Sequence, residues 1–178
     1  HHTVSNSTAD AVAQWFESDL GKSKVAVNYV IGKDGVIERL FHPKDGWAYH
    51  TGLYGNGDAD FIGIEMVNAG PLVKVEGGFK WWEGTKSYFG GVFTDGKPFK
   101  HSSIYWAAYP EAQVRACGEL CKALCNRFEI PKSVITSYDY TDKAIRYNGI
   151  VGHGAIRPDK SDPHRGFDYE FFKKVLNA

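Results

Sequence analysis

Val12, Trp15, Phe16 and Leu20 recur with helical spacing behind Ser7 and Thr8, either of which can cap a first turn, and Gly21 stands where such a helix would close. The spacing predicts a helix ending near Leu20, its apolar face laid on a sheet. Val25 to Ile31 and Val36 to Phe41 then form β-rich runs joined through Lys33-Asp34-Gly35, where Asp-Gly is a hairpin turn signal. Phe61 to Val67 predicts a third strand. Pro110, at a first helical position, opens a second helix through about Phe128, with Ala116, Leu120, Leu124 and Phe128 on the helical period. Gly149 to Gly152 reads as a short strand, and Tyr169 to about Leu176 as a closing helix capped by Asp168. Helices alternating with a small set of strands predict an α/β fold, a central mixed β-sheet flanked by helices.

The stretch from Gly70 to Tyr109 breaks this pattern. It is rich in glycine and carries Trp81, Trp82, Tyr88, Phe89, Phe93, Phe99, Tyr105 and Trp106. Two readings stand side by side: aromatic loops that stack on sugar rings, or a segment covering a small core of its own.

At 178 residues the chain reads as a single domain, 1–178, large enough to bury roughly 70% of its unfolded surface. Its 21 basic and 21 acidic residues cancel, which removes the clustered positive excess that a grip on nucleic acid requires. The chain holds no apolar run of about 18 residues, so no membrane span is expected. Cys117, Cys121 and Cys125 repeat every four residues along one helical face. An odd count on one helix argues against a disulfide framework, and flanking Leu120 and Leu124 point to buried packing.

Candidate chemistry concentrates in the tail. His153 ends an apolar run, and a Pro-bearing loop brings Lys160 and Asp162 back to the same neighbourhood. Imidazole and carboxylate are both ordinary zinc ligands, and a catalytic zinc keeps three protein ligands with an open position for water. His1-His2-Thr3 at the other end of the chain can supply the third.

Five stretches in this order, His1-His2-Thr3, Asn28-Tyr29-Val30-Ile31 with Lys33-Asp34-Gly35, Trp47 to Gly52, Ile62-Gly63-Ile64-Glu65, and Gly152-His153 through Asp162-Pro163, span almost the whole chain. Together they resemble the zinc-dependent N-acetylmuramoyl-L-alanine amidases, which share a fold with peptidoglycan recognition proteins and phage amidase-type lysozymes. The resemblance implies that amidase fold, a Zn2+ cofactor, and His1, His153 and Asp162 as its ligands. It also implies Glu65 as general base, Lys160 as the cation facing the reacting carbonyl, and His50 as a substrate contact. Asn28 occupies a place where many relatives carry histidine or tyrosine, and it is expected on the substrate side. Other members use a tyrosine from a neighbouring strand as base, for which Tyr29 is the nearest candidate.

The implied reaction is hydrolysis of the amide between N-acetylmuramic acid and L-alanine, in peptidoglycan or muropeptides. A monomer acting on the cell wall is expected, secreted, periplasmic or phage-encoded. The alternative is a recognition module of the same fold that binds muropeptides without cutting them. A third reading takes His1 as a copper-chelating terminal histidine, which needs no Lys-x-Asp loop. Because the family's first ligand follows an apolar strand and this sequence starts at that ligand, the first strand is expected to be missing or supplied from outside the sequence. Residues 70–109 exceed a minimal member and are expected to be an insertion shaping the substrate groove. His42, His101 and His164 match no family position, although His164 follows Pro163 closely enough to approach the metal.

Overall fold

A computed structural model describes residues 2–4, 8–19, 25–46, 49–53, 57–82 and 86–178. In chain order its elements are β1 (His2–Val4), α1 (Ala9–Asp19), β2 (Tyr29–Ile31), β3 (Ile37–Arg39), β4 (Ile64–Asn68), β5 (Pro71–Val75), β6 (Gly78–Trp81), β7 (Ser87–Tyr88), β8 (Val92–Phe99) and β9 (Ser103–Ala107). Then follow α2 (Glu111–Phe128), β10 (Val134–Ile135), β11 (Ile150–Val151), α3 (His153–Ile156) and α4 (Tyr169–Asn177).

The central sheet has the order β1-β4-β2-β3 and is mixed, as the sequence predicts. β1, β4 and β2 run parallel, with His2 beside Met66 and Val30 beside Glu65, while β3 returns antiparallel to β2. The Lys33-Asp34-Gly35 turn closes that hairpin: Gly32 N–H donates to the Val36 carbonyl at 2.8 Å, and Val36 N–H to Asp34 Oδ1 at 3.1 Å. Gly35 takes a positive φ of 86°, which a side chain would resist. Residues 2–4, which follow His1, find parallel partners along β4; His1 itself lies outside the described residues.

Two layers of helix cover this sheet. On one face Ala9, Val12, Ala13 and Phe16 of α1 meet Val27, Val30 and Val67. Thr8 caps α1 by accepting from the Ala11 N–H at 3.2 Å; the Ser7 alternative, Leu20 and Gly21 lie outside the described residues. Trp15 leaves the predicted face and is 53% exposed, since a stripe centred on 9, 12, 13 and 16 turns position 15 to its flank. On the other face Ile31 and Met66 meet α2 and α4 through Val114, Cys117, Cys121, Phe172 and Leu176. The buried stripe of α2 therefore runs through the cysteines, with Ala116, Leu120 and Phe128 at its edge, a rotation from the predicted face. The cysteines are free and buried, in keeping with packing. α4 is capped by Asp168, whose carboxylate accepts from the Phe171 N–H at 2.9 Å.

The aromatic stretch is not loop. Residues 71–107 build a separate five-stranded antiparallel sheet, β7-β6-β5-β9-β8, with a core of Ala69, Leu72, Tyr88 and Ala107 against Phe79, Trp81, Val92 and Tyr105. The reading as a segment with its own core holds for these rings. Phe89 and Trp82 remain outside it, exposed. β11 pairs with β10 in a two-stranded parallel sheet and delivers the chain to α3. Among the described residues no helix is long and apolar enough to cross a membrane.

Candidate active site

His153 begins the single-turn helix α3, and the loop after that helix folds back so that the Gly154 N–H donates to the Asp162 carbonyl at 2.7 Å. This approach explains the glycines on either side of His153. A Cβ on Gly152 would stand 2.7 Å from Pro163 Cδ, and one on Gly154 would stand 2.9 Å from the Tyr138 carbonyl and 3.2 Å from that of Lys160. Backbone contact at Gly-His-Gly thus brings Asp162 to His153, with the two side chains 3.0 Å apart between Oδ2 and Nδ1. Both residues are buried.

The other ring nitrogen fixes the chemistry of this pair. His153 Nε2 lies 3.1 Å from the Thr51 carbonyl, which can only accept, so Nε2 carries the hydrogen. Nδ1 then presents a lone pair to a carboxylate oxygen at 3.0 Å, and two acceptors so close require a proton or a cation between them. A histidine whose second N–H is held by a backbone carbonyl is the usual arrangement of a metal ligand. Among the described residues no three His, Cys, Asp or Glu side chains converge as a metal-binding group. His153 and Asp162 supply two donors, and the third that the sequence pointed to, His1, lies outside the described residues.

Glu65 is buried on β4. Burial pushes its carboxyl up to about 8, the charge of Asp162 adding to the rise and that of Lys160 opposing it, so the three groups share one electrostatic neighbourhood. Lys160 itself is half-buried on the returning loop. Tyr29 pairs with Ile64 while Glu65 pairs with Val30, so strand alternation sets Tyr29 and Glu65 on opposite faces.

His50 is buried, its ring against Gly63, where an added Cβ would stand 2.9 Å from the imidazole. Its segment is organised by Asp58, a residue that sequence reading overlooks. Asp58 Oδ1 accepts from Thr51 Oγ1 at 2.6 Å, Thr51 N–H at 2.7 Å and His50 N–H at 3.1 Å, so one carboxylate shapes the loop that presents the Thr51 carbonyl to His153. Burial alone would push its carboxyl up, but the donors from Thr51 and His50 prevail and hold it below the ordinary value. A depressed carboxyl contributes stability that is complete above the unfolded pKa of about 3.9 and is lost as pH falls through the lower folded value. Asp58→Asn is therefore expected to cost about 1.5–3 kcal/mol at pH 7. In calorimetric melts the gap between parent and variant should close below about pH 4. A gap of equal size at pH 7 and pH 3 would exclude the carboxylate as its source.

Asn28 is almost fully buried, and its side-chain oxygen accepts from the Gly63 N–H at 2.9 Å, pinning the approach to β4. His164 does not approach a metal. Its Nε2 lies 3.0 Å from the Ala107 carbonyl and its Nδ1 accepts from the Gly166 N–H at 3.1 Å, so backbone groups occupy both nitrogens. Tyr109 is a further residue that the sequence did not single out. Its ring lies 4.7 Å from that of His164, and burial, reinforced by Asp162, raises its phenol well above the usual value, so it stays a neutral hydroxyl.

A family model described as N-acetylmuramoyl-L-alanine amidase matches residues 1–165. No curated protein matches at a significant level. Among solved structures the chain is similar to AmpD, with 21% identity and a TM-score of 0.50 over 92% of this chain and 65% of that one. It is similar to AmiD from E. coli, solved with the substrate anhydro-N-acetylmuramic acid-L-Ala-D-gamma-Glu-L-Lys, at 20% identity and a TM-score of 0.57 over 98% of this chain and 55% of that one. It is also similar to AmpDh3 from Pseudomonas aeruginosa in complex with anhydromuramic pentapeptide, at 18% identity and a TM-score of 0.55 over 98% and 57%. The chain thus spans less than two thirds of each of these proteins, and it shares their fold.

Proposed function

This chain belongs to the N-acetylmuramoyl-L-alanine amidase family, and from that we propose that it hydrolyses the amide between the lactyl group of N-acetylmuramic acid and L-alanine, with zinc as cofactor. The observation that carries the reading is the buried His153–Asp162 pair, whose facing Nδ1 and Oδ2 leave room for a proton or a cation between them, while the Thr51 carbonyl orients the imidazole through Nε2. His153, Asp162 and His1 would hold the metal. When bound, zinc lowers the pKa of water and polarises a carbonyl.

The chain's own residues divide the remaining work. Glu65 takes the proton of the attacking water and returns it to the departing amine. Lys160 places an ammonium where the carbonyl oxygen becomes negative, an interaction that is strongest in the transition state. Burial of Glu65 raises its proton affinity, so its carboxyl can hold the proton between the two transfers. His50 and Asn28 border the substrate side.

The test is incubation with muropeptides of the kind bound by AmiD and AmpDh3, followed by mass spectrometry of the products. Release of intact stem peptide and free muramic acid ends is expected. Lys160→Ala should lower kcat by ~10²–10³ with muropeptide affinity, measured by calorimetric titration, little changed. Binding without cleavage by the parent protein would defeat the amidase reading and favour the recognition module.

A further inference from the structure

The second sheet grips the loop that carries Lys160 and Asp162 at three points. Its β8–β9 hairpin closes through residues 100–102, where His101 and Ser102 take left-handed φ values of 60° and 57° that side chains rarely adopt. That turn sends the ammonium of Lys100 to the Lys160 carbonyl, to which it donates a hydrogen bond. Farther along, the Arg165 guanidinium sits 4.7 Å from the centre of the Phe99 ring and 3.6 Å from Asp95. His164 is held between Trp106 and Tyr109, with ring centres 4.7 Å away in each case, and bonds the Ala107 carbonyl.

These ties serve different residues. Asp162 is fixed from within its own loop by Gly154, and from the side by the His164 stack two residues on. The link inside the loop at Lys160 is long, its N–H reaching the Arg157 carbonyl at 3.3 Å, and its carbonyl accepts from Lys100. Lys100 is half-buried, and burial holds its ammonium below the usual value while the charges of Asp139, Asp162 and Asp159 oppose that shift. Resting on the reading of Lys160 as the oxyanion cation, we infer that Lys100 is a positioning residue, which sets the Lys160 peptide and thereby the aim of the Lys160 ammonium.

The full-length protein carrying Lys100→Met, Lys100→Arg or, as a control on the same hairpin, Lys97→Met separates the possibilities. Lys100→Met keeps a stem of similar length and removes the donor. Its kcat for muropeptide cleavage should fall on the order of 10-fold with KM unchanged, a fraction of the ~10²-fold loss that a displacement of about 1 Å can cause. Zinc content should stay at the parent level, and hydrogen exchange of the peptide covering residues 157–163 should quicken. Lys100→Arg, which retains charge and donors, should recover most of the loss, and Lys97→Met should match the parent. A kcat within twofold of the parent for Lys100→Met would overturn the inference. So would a raised KM with unchanged kcat, which would assign Lys100 to substrate binding. If the parent itself cleaves nothing, the amidase reading fails on that result, and the exchange measurement alone decides whether Lys100 holds the loop: unchanged exchange overturns it.

Discussion

His153→Ala is expected to yield protein without stoichiometric zinc and without measurable cleavage of muropeptides. The expectation follows from the geometry of one ring. Its Nε2 is committed to the Thr51 carbonyl at 3.1 Å, and its Nδ1 faces Asp162 Oδ2 at 3.0 Å. Removing the imidazole takes away a donor and the partner that orients Asp162. Loss of a group that merely supports a ligand typically costs 10–100-fold in metal affinity, so loss of the ligand itself should cost more. Metal analysis of the purified variant beside chromatography of its digests reads both effects. Circular dichroism guards against a trivial cause, because the loop keeps its Gly154-to-Asp162 backbone bond and the variant should fold. Full zinc occupancy in the folded variant would remove His153 from the ligand set.

Local signals in the sequence located most of the frame. The Thr8 cap, the Asp34-Gly35 turn and the Asp168 cap each work through contacts within a few residues, so the order of residue types alone reveals them. His153 and Asp162 are legible for a related reason: their side chains meet across one short loop. What the sequence hid depends on distant partners. Asp58 looks like any acidic loop residue until the chain brings the Thr51 and His50 amides onto its carboxylate. His164 invites a reading as a metal neighbour because Pro163 is adjacent, yet its nitrogens are taken by backbone at residues 107 and 166. Strands β5 to β7 are obscured in the sequence by their brevity and by glycine turns such as Gly77-Gly78, and the longer β8 by the Gly96 and Pro98 that interrupt it. On α2 the sequence offers two overlapping stripes, the cysteines and the Ala116-Leu120-Leu124-Phe128 row, and both touch the core. Burial follows the stripe of cysteines that meets α4, where Gly118 lets Val175 approach.

Glu65→Gln is expected to retain zinc and muropeptide affinity while lowering kcat by ~10²–10⁴, the range for loss of a general acid–base group. Glutamine preserves the size and hydrogen-bonding reach of the side chain, so β4 and its pairing with Val30 should persist. It cannot accept and return a proton. The site makes this carboxyl the natural proton carrier because it is buried beside the charges of Asp162 and Lys160, where a proton passed to it need not cross bulk solvent. Tyr29, the alternative base, sits on the opposite face of the sheet by strand alternation. Tyr29→Phe should therefore leave kcat within a few fold of the parent. Single-turnover kinetics on both variants, with metal content measured on the same preparations, decides between them. Unchanged turnover in Glu65→Gln with a collapse in Tyr29→Phe would transfer the role to the tyrosine. A loss of zinc in Glu65→Gln would instead mean that the carboxylate supports the metal, since a pure proton carrier can be neutralised without releasing the ion.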